Sequence, residues 1–286
     1  MANIIDGKQL SKQIKDQLKE KVSAFSKDFN RQITLAVILV GENPASQVYV
    51  KNKITATEYV GMKSLSFRLP ENSTEKDVED LVLSLAKDNN VDGILVQLPL
   101  PKHLDADKIL NLIPAEKDVD GFLAQNVGNL VLGQDCTVAC TPFGVIKMLE
   151  STGVELSGKN AVVVGRSNIV GKPMAMLLLN KNCTVTICHS KTQNLKDVCK
   201  NADVLVAAIG RPKFITADMV KDGAIVIDVG INRTEQGLVG DVDFDAIKEK
   251  ASFITPVPGG VGPMTIAMLL ENTYLCALRR AKNEFW

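Results

Sequence analysis

The sequence predicts an α/β protein with two α/β domains, each built on a parallel sheet. Strand-like and helix-like segments alternate along the chain, which is typical of parallel sheets covered by helices. The length of 286 residues favours two domains, since a domain commonly has roughly 150 residues. A β-branched run that enters a glycine-containing turn and then a helix, at residues 160–180, predicts that the second domain is Rossmann-like.

The predicted elements of the first half follow from hydrophobic periodicity. Apolar residues at every third or fourth position predict a helix over 9–25. An apolar run predicts a buried strand over 33–40, and Asn43 before Pro44 marks the start of a helix over 44–59. The other predicted elements are a strand over 63–69, a helix with a charged face over 74–87 and a strand over 91–96.

The second half repeats this pattern. A strand over 160–164 leads into a helix over 170–180. The last long helix begins after Pro263, a residue that suits a first helical turn, and runs to about residue 282. The remaining predicted strands are 184–188, 203–207, 224–228 and 252–255.

The domain boundary is expected near residues 140–150. We expect residues 1–140 to form the first domain and residues 141–265 the second, with a cleft between them. The C-terminal helix, about residues 266–286, is expected to pack back on the first domain. No linker rich in serine or glycine marks the boundary, so we expect a helix to bridge the domains.

The charge balance argues against a polyanion as the main partner. Lys plus Arg and Asp plus Glu both number 33, whereas non-specific nucleic-acid binding depends on a basic excess. The apolar run at 33–40 is far shorter than the roughly 20 residues of a membrane span. The first residues also lack the pattern of a secretory signal. We therefore expect a cytoplasmic protein without a nucleic-acid or membrane partner.

Metal binding is not expected. The six cysteines are sparse and form no Cys-x-x-Cys pair, which indicates free thiols in a reducing compartment. Cys136 and Cys140 with His189 would supply too few ligands for a usual zinc site. The segment from Asp241 resembles the start of a calcium loop, but Ala246 stands where that loop needs glycine.

The turn after the strand at 160–164 favours a dinucleotide cofactor. Gly165, Arg166 and Ser167 follow the strand and precede a helix, whose N-terminus offers free N–H groups to a pyrophosphate. Ser167 replaces the second glycine of the usual fingerprint, so a plain strand-to-helix turn stays open.

A nucleoside-triphosphate loop does not fit the same turn. Five residues separate Gly165 from Gly171, where a Walker loop has four, and Pro173 follows Lys172 in place of the hydroxyl that holds magnesium. An NTPase is therefore excluded.

The end of the next strand favours NADP over NAD. Enzymes that use NAD usually carry Asp or Glu here to bind the ribose 2′-hydroxyl. This chain has His189, Ser190 and Lys191 instead, and Arg166 is available to join them. These groups suit a 2′-phosphate, although simple capping of the strand is also open.

Three further segments are candidates for chemistry. Tyr49 and Lys53 are four residues apart and share one helix face, as many surface pairs do. Gln97 opens a proline-rich loop at a strand end, and Asp118 and Asp120 lie in another loop, where ordinary turn roles are equally open. The stretch from Pro258 to Thr265 is dense in Gly and Pro, which suits either a tight turn or close approach of backbone to a planar ligand.

Together these segments resemble the methylenetetrahydrofolate dehydrogenase/cyclohydrolase family in its single-polypeptide bifunctional form. They occur in the family's order and spacing over nearly the whole chain, and no motif position is substituted. The matching segments are Tyr49-Val50-x-x-Lys53, Gln97-Leu98-Pro99-Leu100-Pro101, Asp118-Val119-Asp120-Gly121, Gly165-Arg166-Ser167, Asp228-Val229-Gly230-Ile231-Asn232 and Pro258 through Thr265.

The resemblance implies two consecutive reactions. NADP would oxidise 5,10-methylenetetrahydrofolate to 5,10-methenyltetrahydrofolate, and hydrolysis would then give 10-formyltetrahydrofolate. The first domain would bind the folate and the second NADP. The resemblance also implies a homodimer, paired through the cofactor domain.

Residue roles also follow from the resemblance. Lys53 would serve the proton transfers of hydrolysis and Gln97 would hold Lys53. Tyr49 would stack on the aromatic middle of the folate, and Asp120 would accept hydrogen bonds from the pterin. The implied cofactor contacts are Gly165, Arg166, Ser167, Ser190 and Ile231, and the further substrate contacts are Gly259, Gly260, Pro263 and Thr265.

Two other classes stay open on the sequence. One is a dehydrogenase for an unrelated small acid, such as the shikimate type, which shares only the architecture and does not require Tyr49 and Lys53 with the Pro-Gly-Gly loop. The other is a non-catalytic dinucleotide-binding regulator, in which a degraded catalytic set is expected.

Overall fold

The computed structural model describes residues 1–235 and 237–284 and divides the chain into two compact units. The six-stranded unit comprises Met1–Lys12 and Ala139–Met268. The three-stranded unit comprises Gln13–Val138 and the chain from Leu269 onward. Residues 285 and 286, which the sequence placed in the last helix, lie outside the described residues.

Short strands and helices alternate through most of the chain. The strands are β1 (Asn3–Ile4), β2 (Thr34–Val40), β3 (Lys63–Leu69), β4 (Gly93–Val96), β5 (Asn160–Val164), β6 (Thr184–Cys188), β7 (Val204–Ala207), β8 (Ile225–Asp228), β9 (Asn232–Thr234), β10 (Gly237–Val239) and β11 (Phe253–Ile254). The helices are α1 (Gly7–Asp28), α2 (Pro44–Tyr59), α3 (Glu75–Lys87), α4 (Ala106–Leu110), α5 (Ala124–Val131), α6 (Cys140–Ser151), α7 (Gly171–Asn180), α8 (Leu195–Lys200), α9 (Phe244–Ile247) and α10 (Val261–Lys282). Two 3₁₀ turns cover Ala115–Lys117 and Ala217–Met219.

The larger sheet is parallel throughout, in the order β1-β11-β8-β7-β5-β6. Its pairing brings Val164, Cys188 and Ala207 to the same level, so the carboxyl ends of β5, β6 and β7 share one edge. Ligands of open α/β sheets bind at such an edge. The first twelve residues group with this unit because β1 pairs with β11.

The smaller sheet is also parallel, in the order β3-β2-β4. All seven residues of β2 are buried, as expected of a strand covered on both faces. Helix α3 presents Val78, Val82 and Leu85 at spacings of four and three, and these pack with Ile38 and Val96 in one core.

The predicted elements are confirmed, most of them to within two or three residues. Helix α2 and strands β3, β5 and β6 have the predicted bounds. The helix expected near residues 140–150 is present as α6, but it lies wholly within the six-stranded unit. One break between the units, after Val138, falls just before α6 and close to the expected boundary. Two further breaks, which the sequence did not predict, fall within α1, after Lys12, and within α10, after Met268.

Helix α10 is the one helix of the described residues that is long and apolar enough to cross a membrane. Of the 18-residue segment of α10 that is most apolar, 56% is buried inside the protein, as in the core helix of a globular protein. In the three-stranded unit, Nδ2 of Asn272 donates hydrogen bonds to the carbonyls of Val119, at 2.9 Å, and Val138, at 2.8 Å. The apolar character of α10 reflects internal packing, since Leu269, Leu270 and Ala277 are each at most 1% exposed.

Candidate active site

Helix α2 starts at a side-chain cap. Oδ1 of Asn43 accepts hydrogen bonds from the backbone N–H groups of Ala45, at 3.0 Å, and Ser46, at 3.1 Å. Pro44 fills the first turn, where its missing N–H costs nothing. A cap of this kind is worth about 1 kcal/mol and fixes the residue at which the helix begins.

Lys53, in the middle of α2, reaches the end of β4. Its Nζ donates a hydrogen bond to Oε1 of Gln97 at 2.9 Å. Gln97 is fixed in turn, since its backbone N–H donates to Ile38, at 2.8 Å, and its Nε2 donates to the carbonyl of Leu98, at 2.6 Å. The amide oxygen of Gln97 is thereby presented to Lys53, and an ammonium group keeps two further donors for other partners.

Tyr49 precedes Lys53 by one helical turn and shares its face of α2. The side chain is 45% exposed, although the neighbouring Val50 is fully buried. An exposed aromatic ring beside a polar cluster is suited to stacking on a planar ligand.

Asp118 is a structural residue of the loop that carries Asp120. Its buried carboxylate accepts hydrogen bonds from the N–H groups of Gly121, at 3.0 Å, and Leu123, at 2.9 Å, and from Nδ2 of Asn126, at 2.9 Å. Burial raises the pKa of Asp118, and these hydrogen bonds oppose that effect. The turn role that the sequence left open fits Asp118.

Asp120 differs from Asp118 in its electrostatics. Burial raises the pKa of Asp120 to about 6, the positive charge of Lys53 opposes this, and the charge of Asp118 adds to it. Asp120 is thus close enough to Lys53 for their charges to interact. The three-stranded unit therefore brings together Lys53, Gln97 and Asp120.

In the six-stranded unit, the turn after β5 requires glycine at two positions. Gly165 has φ of +134° and donates its N–H to the carbonyl of Cys188 at 2.9 Å. A Cβ on Gly165 would overlap the carbonyl oxygen of Ala208, and one on Gly171 would overlap the carbonyl of Gly165. Glycine therefore lets β5, β7 and the start of α7 approach closely, as a dinucleotide-binding turn needs.

Ser167 stands where the usual fingerprint has its second glycine, and its hydrogen bonds show what the serine does there. Its Oγ accepts hydrogen bonds from the N–H groups of Val170, at 3.2 Å, and Gly171, at 3.3 Å. The hydroxyl thus satisfies donors at the start of α7 that would otherwise lack a partner within the helix.

Arg166 and Ser190 lie at the same edge of the larger sheet. Val164 of β5 pairs with Cys188 of β6, and Arg166 and Ser190 each follow two residues later on their own strand's turn. Both side chains are exposed. The turn that carries Ser190 is held by the N–H of Thr192, which donates to the carbonyl of His189 at 2.9 Å. No carboxylate lies in this turn, so the edge suits a 2′-phosphate better than a free 2′-hydroxyl.

The glycine- and proline-rich loop borders a cavity of about 160 Å³. Gly259, Gly260, Pro263 and Ile231 all contribute to its walls, and Ile231 is 48% exposed. The other residues of the wall are Lys8, Asp228, Val229, Gly230, Leu238, Pro256, Val257, Pro258, Val261 and Gly262.

Thr265 lies outside the wall of this cavity. It follows on α10, where its Oγ1 is 3.0 Å from Oγ1 of Thr141. Sequence reasoning missed Lys8 and Leu238, since each is distant in sequence from the motif. The pairing of β1 with β11, through only two residues on each strand, gave no readable signal for Lys8.

No group of three or more His, Cys, Asp or Glu side chains within residues 1–235 and 237–284 is arranged to hold a metal ion. All six cysteines are free thiols.

Two family models match the chain. "Tetrahydrofolate dehydrogenase/cyclohydrolase, catalytic domain" matches residues 5–120, and "Tetrahydrofolate dehydrogenase/cyclohydrolase, NAD(P)-binding domain" matches residues 139–281. The chain belongs to the tetrahydrofolate dehydrogenase/cyclohydrolase family.

Full-length relatives of this family are similar to the chain. The bifunctional protein FolD of Agathobacter rectalis is 59% identical over 273 residues, which cover 95% of this chain and 98% of that protein. The crystal structure of the bifunctional enzyme FolD from Campylobacter jejuni has a TM-score of 0.94 and 52% identity, with 100% of both chains covered. FolD from Trypanosoma brucei, in complex with NADP cofactor and an inhibitor, has a TM-score of 0.92 and 40% identity, with 97% of this chain and 98% of that chain covered.

Membership of the tetrahydrofolate dehydrogenase/cyclohydrolase family decides between the classes that the sequence left open. A shikimate-type dehydrogenase would share the architecture alone, whereas here both family models match and together span most of the chain. The resemblance stated from the motifs is thereby confirmed.

Proposed function

We propose that this chain oxidises 5,10-methylenetetrahydrofolate with NADP to 5,10-methenyltetrahydrofolate and hydrolyses that cation to 10-formyltetrahydrofolate. Family membership and the activities printed for the relatives support both reactions. The hydrogen bond of 2.9 Å between Lys53 and Gln97 is the observation that supports the assignment of hydrolysis to Lys53.

Hydrolysis requires several proton transfers at the one-carbon unit. Water adds to the methenyl carbon and loses one proton to give a hydroxyl group. The bond from that carbon to one ring nitrogen then breaks, the nitrogen takes up a proton, and the hydroxyl loses its proton as the formyl C=O forms, so one proton is released overall. Lys53 serves the transfers from the attacking water and to the nitrogen through its Nζ. A general acid–base group positioned in this way typically raises the reaction rate about 10²–10⁴-fold. Gln97 holds the Lys53 amine in place without neutralising it.

The folate is held by groups that match its parts. Tyr49 stacks on the aromatic middle of the molecule, since its ring is exposed on the same face of α2 as Lys53. Asp120 accepts hydrogen bonds from the donor N–H groups of the pterin, a role that its ionised carboxylate suits. Gly259, Gly260, Pro263 and Thr265 are further folate contacts.

The residues at the edge of the larger sheet fit NADP. The turn that starts at Gly165 leaves no room for a Cβ, so backbone lies where a pyrophosphate can approach it. Arg166 and Ser190 bind the 2′-phosphate, while Ser167 and Ile231 complete the contacts. When bound, NADP supplies the hydride acceptor, and the protein contributes alignment.

The proposal extends to organisation and location. The folate-binding catalytic domain expected at residues 1–140 corresponds to the three-stranded unit, Gln13–Val138 with the chain from Leu269 onward. The NADP-binding domain expected at residues 141–265 corresponds to the six-stranded unit, which also contains Met1–Lys12. The chain is a cytoplasmic homodimer, paired through the NADP-binding domain, without a nucleic-acid or membrane partner. The zero net charge supports the absence of a nucleic-acid partner, and sedimentation analysis of the purified protein tests the dimer.

A stopped assay tests the two activities directly. Methylenetetrahydrofolate is offered with NADP or NAD, and the reduced cofactor, the methenyl product and the formyl product are followed separately. We expect NADP reduction with formyl product in excess of spontaneous hydrolysis. Absence of NADP reduction contradicts the dehydrogenase, and formation of the formyl product only at the spontaneous rate contradicts the cyclohydrolase.

A further inference from the structure

Two buried aspartates lie at the carboxyl edge of the six-stranded sheet, and neither has a role in the function proposed above. Asp228 is the last residue of β8 and is 3% exposed. Asp241 follows β10 after one glycine and is fully buried. Buried carboxylates are costly unless their oxygens accept hydrogen bonds, so their partners indicate what they do.

Asp228 joins the end of β8 to the chain after β10. Its Oδ1 accepts hydrogen bonds from the N–H groups of Gly230 and Asp241, both at 2.9 Å. Its Oδ2 accepts one from the N–H of Val242, also at 2.9 Å.

Asp241 extends this connection to the end of β7. Its carboxylate accepts hydrogen bonds from three consecutive N–H groups, those of Ile209 at 2.7 Å, Gly210 at 2.9 Å and Arg211 at 2.8 Å. A fourth comes from Nδ2 of Asn232, at 2.9 Å. One carboxylate therefore fixes the loop after β7 and the first residue of β9.

Glycine allows the backbone to enclose both carboxylates. A Cβ on Gly230 would overlap Oδ1 of Asp241, and a Cβ on Gly240 would overlap Oδ2 of Asp228. The two glycines and the two aspartates thus form one interlocked arrangement in which any added side-chain atom displaces an anchor.

The anchored segments border the proposed cofactor site. Ile231 lies between Gly230, which is bonded to Asp228, and Asn232, which is bonded to Asp241. The loop held by Asp241 begins one residue after Ala208, whose carbonyl oxygen abuts Gly165.

We propose that Asp228 and Asp241 are positioning residues for NADP, which hold Ile231 and the backbone of residues 209–211 in the geometry that receives the cofactor. This inference rests on the proposed function. Charge-assisted hydrogen bonds are roughly twice as strong as neutral ones, so a carboxylate holds several amides more rigidly than a carboxamide can. Preorganised loops lower the cost of ordering on binding.

The test compares NADP affinity with hydrolysis in Asp241→Asn. The carboxamide keeps the size of the side chain but offers one acceptor oxygen to four donors. We expect the Kd of NADP, measured by calorimetry, and the KM for NADP to rise at least tenfold. The cyclohydrolase rate on methenyltetrahydrofolate, which needs no nicotinamide, stays within twofold of the wild type.

Asp203→Asn is the matched control. Asp203 also accepts a backbone hydrogen bond, from Asn160 at 2.9 Å, but at the opposite edge of the same sheet. We expect its NADP affinity to stay within twofold of the wild type. If Asp241→Asn does not fold, Asn232→Ala removes one of the four donors and is expected to raise the Kd of NADP threefold or more.

Three results overturn the inference. For folded Asp241→Asn, these are an unchanged Kd of NADP or a parallel loss of both activities. Where Asp241→Asn cannot be made, an unchanged Kd of NADP in Asn232→Ala overturns it. The wild type separates this inference from the proposed function. If the wild type itself binds no NADP, the proposed function fails as well, whereas a normal wild type with an unaffected variant counts against the positioning role alone.

Discussion

At the scale of single residues, Lys53 separates the two proposed reactions. Hydride transfer depends on alignment, whereas hydrolysis moves protons at the one-carbon unit. Lys53→Met keeps much of the side-chain bulk and removes the amine that bonds to Gln97. We expect cyclohydrolase activity to fall by about 10²–10⁴-fold while measurable dehydrogenase activity remains and methenyltetrahydrofolate accumulates.

The measurement is the methenyl and formyl yield for each reduced cofactor, corrected for spontaneous hydrolysis. Lys51→Met is the control, because Lys51 is exposed and lies two residues away on another face of α2. Hydrolysis at the wild-type rate in Lys53→Met would leave Tyr49 and Lys53 as an ordinary surface pair.

The raised pKa of Asp120 predicts how substrate binding depends on pH. Burial raises the pKa of Asp120 to about 6, so the carboxyl becomes neutral as the pH falls below that value. The proton replaces an acceptor lone pair that the pterin N–H groups need. We therefore expect kcat/KM of both reactions to decline below about pH 6, approaching tenfold for each further pH unit.

Asp120→Asn removes this titration. Because a charge-assisted hydrogen bond is lost, kcat/KM of both reactions should fall by about tenfold or more. The variant should also lack the decline near pH 6. Asp107→Asn, an exposed change in the same unit, should keep the wild-type profile. If Asp120→Asn has normal folate affinity and normal rates, Asp120 is a turn residue.

At the scale of elements, Lys117 secures the end of α3. Its buried Nζ donates hydrogen bonds to the carbonyls of Leu85, at 3.1 Å, Ala86, at 2.8 Å, and Asp88, at 2.7 Å. The last carbonyls of a helix have no partner within the helix, and a cation there also complements the helix dipole.

Lys117→Met should lower the free energy of unfolding by roughly 2–4 kcal/mol, because it leaves these acceptors without their donor. Urea denaturation measures the change. Lys87→Met, at an exposed position in the last turn of α3, should change the stability by less than about 0.5 kcal/mol. Equal stability of Lys117→Met and the wild type would show that water replaces the ammonium at little cost.

The sequence patterns did not predict the bounds of helix α6 or the presence of strand β1. Helix α6 contains Pro142 and Gly144, residues that lower helix propensity, so its periodicity did not give bounds. Gly144 is needed there because a Cβ would press against the side chain of Met264. Strand β1 has two residues, too few for any period to be read.

At the scale of the whole molecule, NADP should stabilise the fold by mass action. A ligand present at 100 times its Kd stabilises the native state by about 2.7 kcal/mol. Arg166→Ala loses a charge-assisted bond to the 2′-phosphate, worth roughly 1.5–3 kcal/mol, so NADP should bind about tenfold to hundredfold more weakly. At the same NADP concentration, that stabilisation should drop to about 0.4–1.4 kcal/mol.

Thermal unfolding with and without each cofactor makes the comparison. Stabilisation by NAD should be the same in the wild type and in Arg166→Ala, since NAD has no 2′-phosphate. Equal losses for the two cofactors would contradict the role of Arg166.

The sequence by itself determined the α/β class, the longer helices and strands, and the motif residues that carry the family resemblance. These depend on local periodicity and on residue types at fixed spacing, which a linear chain displays directly. The hydrogen bond from Lys53 to Gln97 spans 44 positions, so no local pattern displays it: the family resemblance implied the pair, and the fold brings Nζ and Oε1 to 2.9 Å.

Tertiary structure alone decided which carboxylates are free to meet a ligand. Asp118 and Asp120 look alike in sequence, yet Asp118 accepts hydrogen bonds from two N–H groups of its own loop and from Asn126 on α5. Asp241 belongs to a segment whose sequence only partly matches a calcium loop, and the fold surrounds its carboxylate with amides from other segments. Whether a carboxylate serves the fold or a ligand depends on the donors that packing brings to it, and those donors come from residues far apart in the sequence.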